Sequence, residues 1–450
     1  MRGADSSTGL KVNTVTVVGA NGTMGRNVSA IFASFGHAKV YMVSRDIDKS
    51  ESARDKAYQS VRAESVKNNM YPADYSMLED CVKESDIVFE SSAENWNVKS
   101  AVTAQIAEAA AKHMDECRNT VFCTGSSGLS ITALSEIFPE ELRRNYMGMH
   151  MFNPPYSMTL CEMTPTAHSN RELFEAAMDY CRSVLFRTVV EVKDSPAFLG
   201  NRIGFQFINS ALQYAERYKD NGGIDYIDAI LGPFTGRNMA PLMTSNFVGL
   251  DVHKAIADNL YQNTDDFAHE DFIFPEFADK LIAEGNLGRK SGGGLYKTVL
   301  HDSGAKIHLV YDIGAGIYRP VMKYTFPFAE AMIDAFHEGD YDKAFRVLTN
   351  NHSLEAKIGC GFLLKYVLYS LRATELVGYE ISSADDAMAA GFNWCPPLAM
   401  IQAFGGTDSF ATLCRERISP DILKRIDLAN LLRRVEPSKY DYRRFVRAKR

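Results

Sequence analysis

The sequence predicts an α/β domain at the amino-terminal end, followed by an all-α half made of two similar helical units. Short runs rich in β-branched residues alternate with helical patterns as far as residue 192, an order typical of a parallel sheet with helices on its faces. Beyond residue 193 helical patterns dominate, and short motifs recur there at an offset near 160 residues, which favours a duplicated unit. We therefore predict domains over residues 1–193, 194–300 and 301–450.

The composition argues against several classes of protein. The chain has 450 residues, of which 46% are hydrophobic and 23% charged, as is usual for soluble globular proteins. A net charge of −7 argues against nucleic-acid binding, and no apolar run is long enough to cross a membrane. Residues 1–5 are polar and lack the apolar core of a signal peptide. The eight cysteines form no Cys-x-x-Cys pair, so we expect reduced thiols, no metal site and a cytoplasmic protein.

The first β-branched run, residues 14–18, leads directly into a glycine-rich loop. A helical pattern over 27–35 and a second apolar run over 40–43 follow, which is the order of a Rossmann-type dinucleotide-binding unit. Such a loop lets backbone N–H groups approach a pyrophosphate at the helix N-terminus. Here it reads Gly-x-x-Gly-x-x-Gly, one residue longer than the usual Gly-x-Gly-x-x-Gly. The loop residues expected to bind the cofactor are Gly19, Gly22, Thr23, Met24 and Gly25.

The end of the second run bears on the choice between NAD and NADP. An acidic residue normally stands there and binds the ribose hydroxyls of NAD. In this chain the place falls on Ser44, which leaves room for a 2′-phosphate, and Arg45 can pair with that phosphate. In the alternative, Arg45 stacks on the adenine and Asp46 binds the ribose of NAD. These residues lean toward NADP and leave NAD open.

Two further predicted strands end in polar residues. A strand over 86–90 leads to Glu94, and a strand over 119–124 leads to Ser127. Ligands bind at strand ends on one edge of a parallel sheet, so both residues are candidates for the site. The other elements predicted for this domain are helices over 49–68 and 170–185 and a strand over 188–192.

A candidate general base lies between these elements. His150 stands in an apolar run that ends at Asn153-Pro154, and Glu162 stands in a second apolar run twelve residues after the histidine. If the two runs are strands joined by the Asn-Pro turn, His150 and Glu162 lie side by side. A neutral imidazole can accept a proton at pH 7, and a neighbouring carboxylate fixes its tautomer and stabilises the imidazolium.

The predicted duplication rests on three pairs of motifs. Phe198-Leu199-Gly200-Asn201 begins a predicted helix over 198–218, and Phe362-Leu363-Leu364-Lys365 begins a similar one. The other pairs are Asp228 with Asp386 and residues 247–251 with residues 404–408. Because Lys365 stands where the first copy has Asn201, we expect the second copy to be structural. We interpret the basic tail from Pro437 as solvated.

Several of these motifs resemble those of the 3-hydroxyacyl-CoA dehydrogenase family. The resemblance covers residues 14–297 as one family unit and about 360–410 as a second helical copy. It rests on His-x-Phe-Asn-Pro with Glu162 downstream, on Glu-Asn-x-x-x-Lys from Glu94, and on Gly-Arg-Lys-Ser-Gly from Gly288. It also includes Phe198-Leu199-Gly200-Asn201-Arg202 at the entry to the helical domain, and Ser-Ser-Leu-x-Ile-Thr, into which this chain adds Gly128.

The resemblance implies roles for single residues. His150 would be the general acid/base and Glu162 its orienting partner. Ser127 and Asn201 would hold the substrate's 3-oxygen and support the histidine, with Ser126 as the alternative to Ser127 because of the added glycine. The residues implied to line the nicotinamide side are Glu94, Lys99, Asn153 and Lys290.

On this resemblance the expected reaction interconverts 3-hydroxyacyl-CoA and 3-ketoacyl-CoA with NAD or NADP, as in β-oxidation of fatty acids. Two alternatives stay open. One is a dehydrogenase of a non-CoA 3-hydroxy acid, related to carnitine or a sugar acid, because Pro154-Pro155-Tyr156-Ser157 departs from the family's turn. The other is a nucleotide-binding structural protein without turnover. The second helical copy could cover the surface through which such helical domains often dimerise, so we expect a monomer with a pseudo-dimeric helical half, or else a homodimer.

Overall fold

The structure of the chain, a computed structural model, describes residues 9–301 and 304–448. The chain divides into two compact units, Met1–Phe198 and Leu199–Arg450. The sequence placed the first boundary near residue 193, close to the division between these units. Its further division of the helical half at residue 300 stays a prediction. The polar start over residues 1–5 and the last two residues of the basic tail lie outside the described residues.

The described part of the first unit contains one sheet of eight strands in the order β3-β2-β1-β4-β5-β6-β7-β8. All neighbouring strands are parallel except β6 and β7, which are antiparallel. The strands are β1 Thr14–Val18, β2 Lys39–Ser44, β3 Met70–Asp74, β4 Ile87–Glu90, β5 Val121–Thr124, β6 Tyr146–Met151, β7 Leu160–Thr164 and β8 Thr188–Glu191. Strand β1 is buried along almost its whole length because helices cover a parallel sheet on both faces.

Eight helices belong to the same part of the chain. They are α1 Thr23–Ser34, α2 Ile47–Val61, α3 Glu64–Asn69, α4 Leu78–Lys83, α5 Trp96–Ala111, α6 Ile131–Ser135, α7 Glu140–Arg143 and α8 Arg171–Ser183. The buried face of α1, with Val28, Ile31 and Phe32, packs in the same core as Val15 and Val17 of β1. The α/β fold predicted from the alternation of strands and helices is confirmed.

One expectation about this unit is wrong, and one of its strands was not predicted. The single helix predicted over 49–68 is two helices, because Arg62 adopts a left-handed conformation with φ 53° and ends α2. The sequence reading also missed strand β3, Met-Tyr-Pro-Ala-Asp, which has no β-branched residue. Pro72 is tolerated in β3 because this strand lies at the edge of the sheet, where a ladder N–H can be absent.

Helices make up most of the second unit. They are α9 Gly200–Arg217, α10 Ile224–Ile230, α11 Pro241–Val248, α12 Leu250–Asn263, α13 Glu276–Ala283, α14 Pro327–His337, α15 Tyr341–Asn350, α16 Leu354–Val377, α17 Ser383–Phe392, α18 Pro397–Ala403, α19 Thr407–Arg417, α20 Pro420–Arg425 and α21 Leu428–Arg433. Where an all-α half was predicted, the chain also forms an antiparallel sheet of β9 Tyr296–Leu300, β10 Lys306–Asp312 and β11 Ile317–Pro320. The first four residues of β10, Lys-Ile-His-Leu, alternate between polar and apolar, and their exposure alternates in the same way. This period of two is the strand signal that the sequence analysis overlooked.

The same local arrangement occurs in both helical copies. The Asp228 carboxylate in α10 accepts the N–H groups of Leu242 and Met243 at the start of α11, at 2.8 and 2.9 Å. The Asp385 carboxylate in α17 accepts the N–H of Leu398 at the start of α18, at 2.8 Å. Both capped helices begin with proline. This repeated cap supports the duplication, and it makes Asp385, rather than the predicted neighbour Asp386, the counterpart of Asp228.

Two other details of the second copy differ from the expectations. Phe362 does not begin a helix, because it lies in the middle of α16. The basic tail is packed against the protein: Ser438 donates to Asp385, Tyr440 donates to Asp386 at 2.5 Å, and Val446 is buried. The described tail is thus packed through Ser438, Tyr440 and Val446, while its arginines Arg443, Arg444 and Arg447 are exposed.

Close packing joins the two helical copies inside the second unit. A Cβ added to Gly204 of α9 would lie 2.3 Å from Cζ of Phe392 in α17. In the reciprocal position, a Cβ added to Gly359 of α16 would lie 3.6 Å from Cγ2 of Ile230 in α10. Helices of each copy thus pack on helices of the other, as the halves of a dimer would.

We expect Gly204→Ala to lower the free energy of unfolding of the second unit by about 1–3 kcal/mol, since the added methyl group overpacks this contact. Gly361→Ala in α16 is the matched control, because a Cβ at Gly361 would meet no atom within 4 Å. That change should be neutral or stabilising by up to about 1 kcal/mol, through helix propensity alone. Urea denaturation of both variants tests the pair, and equal stabilities would contradict the packing argument.

None of the helices in the described part of the chain is both long and apolar enough to span a bilayer.

Candidate active site

His150 and Glu162 face each other across the antiparallel pair β6–β7. The two residues are direct register partners, and His150 Nδ1 lies 2.9 Å from Glu162 Oε2. The histidine is 6% exposed and the glutamate is fully buried. The side-by-side placement predicted from the two apolar runs and the Asn-Pro turn is confirmed.

This geometry defines which nitrogen can exchange a proton. An ionised carboxylate only accepts hydrogen bonds, so the Nδ1–H of His150 donates to Glu162 and the lone pair is on Nε2. The rings of Phe152 and Phe198 lie 4.6 and 5.7 Å from the imidazole, measured between ring centroids, and pack against it. A histidine held in this way can act as a general base and, once protonated, as a general acid.

The other candidates of the first unit lie at the same edge of the sheet. Strands β1, β4, β5 and β6 are parallel neighbours in that order, so their carboxyl ends are adjacent. The glycine loop follows β1, Glu94 follows β4, Ser127 follows β5, and His150 lies near the end of β6. In parallel sheets this edge is where ligands bind.

The three glycines of the loop differ in whether the fold itself requires a glycine at that position. Gly19 has φ +85°, and a Cβ on Gly25 would lie 2.4 Å from the Gly19 carbonyl oxygen, so both positions need glycine for the fold itself. A Cβ on Gly22 would meet nothing closer than 3.4 Å, so no neighbour within the chain requires that glycine. Gly22 is the N-cap residue of α1, and no side chain forms a capping hydrogen bond there. The N–H groups of Thr23 and Met24 in the first turn can therefore bind an anion. The loop therefore fits a pyrophosphate.

Glu94 holds the turn that carries the candidate serines. Its Oε1 accepts the Ser126 hydroxyl at 2.7 Å, the Ser127 N–H at 2.9 Å and the Gly128 N–H at 3.1 Å. The Ser126 hydroxyl also accepts the N–H of Leu129, at 3.1 Å, and its side chain is buried. The Ser127 hydroxyl takes no part in these bonds. Of the two serines, Ser127 is thus the better placed to meet a ligand.

A buried ion pair that the sequence analysis missed lies beside this turn. Lys99 Nζ is 3.0 Å from Glu90 Oε2, and both residues are 1% exposed. Glu90 also accepts the Thr124 hydroxyl at 2.6 Å and the Ser92 N–H at 2.5 Å. Burial raises the pKa of Glu90, but the charge of Lys99 and these hydrogen bonds outweigh that effect and hold the pKa below its usual value. The sequence signal that could have revealed this pair is a single acidic residue, Glu90, at the end of the apolar strand β4.

Lys99 also connects this pair to the serine turn. Its Nζ lies 3.6 Å from the second carboxylate oxygen of Glu94. Lys99 was implied to line the nicotinamide side, and here its ammonium is bound between two carboxylates. In the structure it links the end of β4 to Glu94, which holds the serine turn after β5.

The residues that bear on the cofactor's 2′ position differ in how accessible they are. Ser44 is 1% exposed; its hydroxyl donates to the Asp46 carbonyl oxygen at 2.7 Å and accepts from Ser50 at 2.7 Å. The Asp46 carboxylate accepts the N–H of Asp48 at 2.9 Å and caps α2. Arg45 and Asp46 are both exposed. The guanidinium of Arg45 is thus accessible to a phosphate, and the carboxylate of Asp46 is accessible to a ribose hydroxyl.

The remaining predicted residues are Asn153, Asn201 and Lys290. Asn153 is exposed, in the turn after β6, and its Oδ1 accepts Nδ2 of Asn27 at 3.3 Å. Asn201 lies in the first turn of α9 and is 8% exposed. Lys290 forms an ion pair of 2.6 Å with Asp251. Asn201 and Lys290 belong to the second unit, and their roles in catalysis and cofactor binding stay predictions.

The cysteines and acidic residues of the described chain form no other centre. All eight cysteines are buried free thiols. The described residues contain no group of three or more His, Cys, Asp or Glu side chains arranged to hold a metal ion.

Comparison with known protein families and sequences gives matches along most of the chain. The family model "3-hydroxyacyl-CoA dehydrogenase, NAD binding domain" matches residues 14–195, and "3-hydroxyacyl-CoA dehydrogenase, C-terminal domain" matches residues 198–298. A probable 3-hydroxyacyl-CoA dehydrogenase of Caenorhabditis elegans is 30% identical over 319 residues, 66% of this chain and 96% of the relative. The human mitochondrial hydroxyacyl-coenzyme A dehydrogenase is 27% identical over 301 residues, 64% of this chain and 91% of the relative.

A probable 3-hydroxyacyl-CoA dehydrogenase of Bacillus subtilis is 28% identical over 347 residues. That match covers 76% of this chain and 42% of the relative, so the chain spans less than half the length of that protein.

Solved structures share the fold over nearly the whole chain. The crystal structure of 3-hydroxybutyryl-CoA dehydrogenase from Escherichia coli has a TM-score of 0.67 at 21% identity, over 94% of this chain and 99% of the other. The dehydrogenase part of multifunctional enzyme 1 from C. elegans has a TM-score of 0.57 at 17% identity, over 97% and 94%. Both likenesses extend beyond residue 298, so the fold of the second helical copy also has counterparts in known structures.

Proposed function

Because the chain belongs to the 3-hydroxyacyl-CoA dehydrogenase family, we propose that it interconverts 3-hydroxyacyl-CoA and 3-ketoacyl-CoA with a nicotinamide cofactor. The observation that carries this proposal is the buried His150–Glu162 pair at the sheet edge that also carries the glycine loop. A bare nucleotide-binding protein has no need of a buried histidine oriented by a buried carboxylate.

In the proposed reaction each residue of the site has one task. The cofactor, bound through its pyrophosphate on the glycine loop, would supply the hydride chemistry from its nicotinamide ring. His150 accepts the proton of the 3-hydroxyl group at Nε2, and Glu162 stabilises the imidazolium that forms. In the direction of reduction, Nε2 returns this proton to the 3-oxygen. Ser127 donates a hydrogen bond to the same oxygen, and Asn201 is proposed to assist it.

One assay separates this proposal from its alternatives. Nicotinamide absorbance is followed with acetoacetyl-CoA, with the ketone derived from carnitine and with a keto sugar acid. Turnover of acetoacetyl-CoA alone supports the proposed thioester substrate. Turnover of only a non-CoA ketone would mean that His150 acts on a different substrate class, a possibility raised by the turn at Pro154–Ser157. Absence of turnover with all three would leave the proposal without support.

We further propose that the cofactor is NADP. The structure leaves no carboxylate side chain at the end of β2, since Ser44 stands there and its hydroxyl is bonded internally. Arg45 and Asp46 are both exposed, and the Asp46 carboxylate caps α2 through Oδ1, so the preference for NADP rests on the guanidinium of Arg45. Arginine binds a phosphate with two parallel hydrogen bonds, which favours the 2′-phosphate of NADP over the ribose hydroxyl of NAD.

Arg45→Ala should therefore raise the Kd for NADPH about ten-fold or more and leave the Kd for NADH within about two-fold. A charge-assisted hydrogen bond contributes about 1.5–3 kcal/mol, and each 1.4 kcal/mol changes the Kd ten-fold. Fluorescence titration of both reduced cofactors measures this. Lys56→Ala, which removes an exposed cation from the middle of α2, is the control. Tighter binding of NADH by the unaltered protein, with no change of preference in the variant, would assign NAD instead.

The assembly and location of the chain stay proposals. We propose a monomer, because the two helical copies already pack on one another within the second unit; a homodimer is the alternative. A cytoplasmic location is proposed from the sequence, while the human relative is named as mitochondrial.

A further inference from the structure

Three polar side chains form a short chain of hydrogen bonds between the glycine-loop helix and the turn after β6. The hydroxyl of Tyr156 donates to Oδ1 of Asn27 at 3.1 Å. Nδ2 of Asn27 donates to Oδ1 of Asn153 at 3.3 Å. Asn27 lies in α1, and the other two residues flank Pro154-Pro155 in the turn. We call these three residues the amide chain.

The amide chain has a direction, and Tyr156 sets it. Burial raises the pKa of Tyr156 to about 12, against a smaller opposite effect of Arg26, so the hydroxyl keeps its proton at neutral pH. Because this hydroxyl donates to Oδ1 of Asn27, the amide of Asn27 is turned so that Nδ2 points to Asn153. The oxygen of Asn153 then accepts a bond within the protein, and its two N–H donors are turned away from Asn27 and can be offered to a ligand.

The surroundings of the amide chain differ from one end to the other. Asn27 is 6% exposed and is fixed in the helix whose first turn fits the pyrophosphate. Asn153 is exposed, and His150 lies three residues before it. A bond from a buried and rigid residue to an exposed amide holds that amide in one orientation at low entropic cost before a ligand arrives.

We propose that Asn27 and Tyr156 are positioning residues for the nicotinamide end of the cofactor, because they turn the Asn153 amide so that it donates to a carbonyl oxygen there. The carboxamide of the nicotinamide ring carries such an oxygen, and the adenosine and pyrophosphate parts of the cofactor carry none. This inference rests on the proposed function only in requiring a nicotinamide cofactor at this edge of the sheet; it does not depend on the acyl substrate.

The experiment compares two ligands in the full chain. The reduced cofactor contains the nicotinamide, and ADP-ribose, or its 2′-phosphate, lacks it. For Tyr156→Phe we expect the Kd of the reduced cofactor to rise about three- to ten-fold, as for one lost hydrogen bond, and the Kd of the ADP-ribose ligand to stay within two-fold. Calorimetric titration measures both constants in the same protein, and unchanged ADP-ribose binding shows that the first unit is still folded.

Two further variants separate positioning from general packing. Asn27→Ala should give the same selective loss, and adding Tyr156→Phe to it should cause no further loss, since both changes break one chain of bonds. Tyr58→Phe is the matched control, because it removes a hydroxyl that bonds the exposed Glu64 at 3.0 Å in the same unit. It should change neither Kd.

Other results would overturn the inference. An equal loss for both ligands would mean that the amide chain only supports the helix, and no loss for either would mean that Asn153 is not oriented by it. If the unaltered chain binds no reduced cofactor, the proposed function fails and this inference fails with it. If the chain binds the cofactor with the expected contrast between ligands but turns over no acyl-CoA, only the proposed substrate fails.

Discussion

Replacing His150 with glutamine should lower kcat for reduction of acetoacetyl-CoA by about 10²–10⁴-fold, the usual contribution of a positioned general acid or base. Glutamine can still donate an N–H to Glu162, so the buried carboxylate keeps a partner and the fold is expected to survive. Only the group that exchanges the proton at Nε2 is lost. The Kd of the reduced cofactor, which does not depend on that proton, should change less than two-fold.

A second histidine of the same unit provides the control. His168 pairs with Glu136 at 2.6 Å, but this pair is on the surface, with the histidine side chain 39% exposed. His168→Gln removes an imidazole from a carboxylate in the same way and should leave kcat unchanged. Full turnover by the His150 variant, or an equal loss in both variants, would reject His150 as the group that transfers the proton.

The placement of His150 and Glu162 could be predicted because it depends on local pattern alone. Two apolar runs separated by an Asn-Pro turn form a hairpin, and a side-chain period of two then puts a given pair of residues on one face. The glycine loop is local in the same sense. Gly19 and Gly25 approach each other within one turn, and the sequence spacing records this.

The features that the sequence analysis missed depend on partners distant in the chain. Strand β3 contains no β-branched residue and is a strand because β2 pairs with it. Arg62 interrupts a helical pattern that has no glycine or proline at that point. Glu90 becomes part of the site only because Thr124, from the neighbouring strand, and Lys99, from α5, both bond to it. Propensity and periodicity describe one segment at a time, so contacts of this kind are beyond their reach.

Breaking the ion pair between Glu90 and Lys99 should destabilise the first unit by up to about 3–5 kcal/mol, because the buried charge of Lys99 is then left with the partly exposed carboxylate of Glu94, 3.6 Å away, as its remaining charged partner. Glu90→Gln keeps the shape of the side chain and removes its charge. Urea denaturation followed by circular dichroism gives the free energy of unfolding. Glu84→Gln is the control, since Glu84 pairs with Lys39 at 3.1 Å on the surface, where such pairs contribute about 0–1 kcal/mol.

The double variant Glu90→Gln/Lys99→Met distinguishes the missing charge from damaged packing. Replacing both members of a buried pair by uncharged groups of similar size is often close to neutral, so most of the lost stability should return. The dependence of stability on pH gives a further test. The pKa of Glu90 is depressed in the folded state, so the stability that its carboxylate contributes is present at neutral pH and is lost as the pH falls. Glu90→Gln should therefore be less sensitive to acid than the unaltered protein. A single variant as stable as Glu84→Gln, or a double variant no more stable than the single one, would mean that the pair does not fix the end of β4, which leads to Glu94.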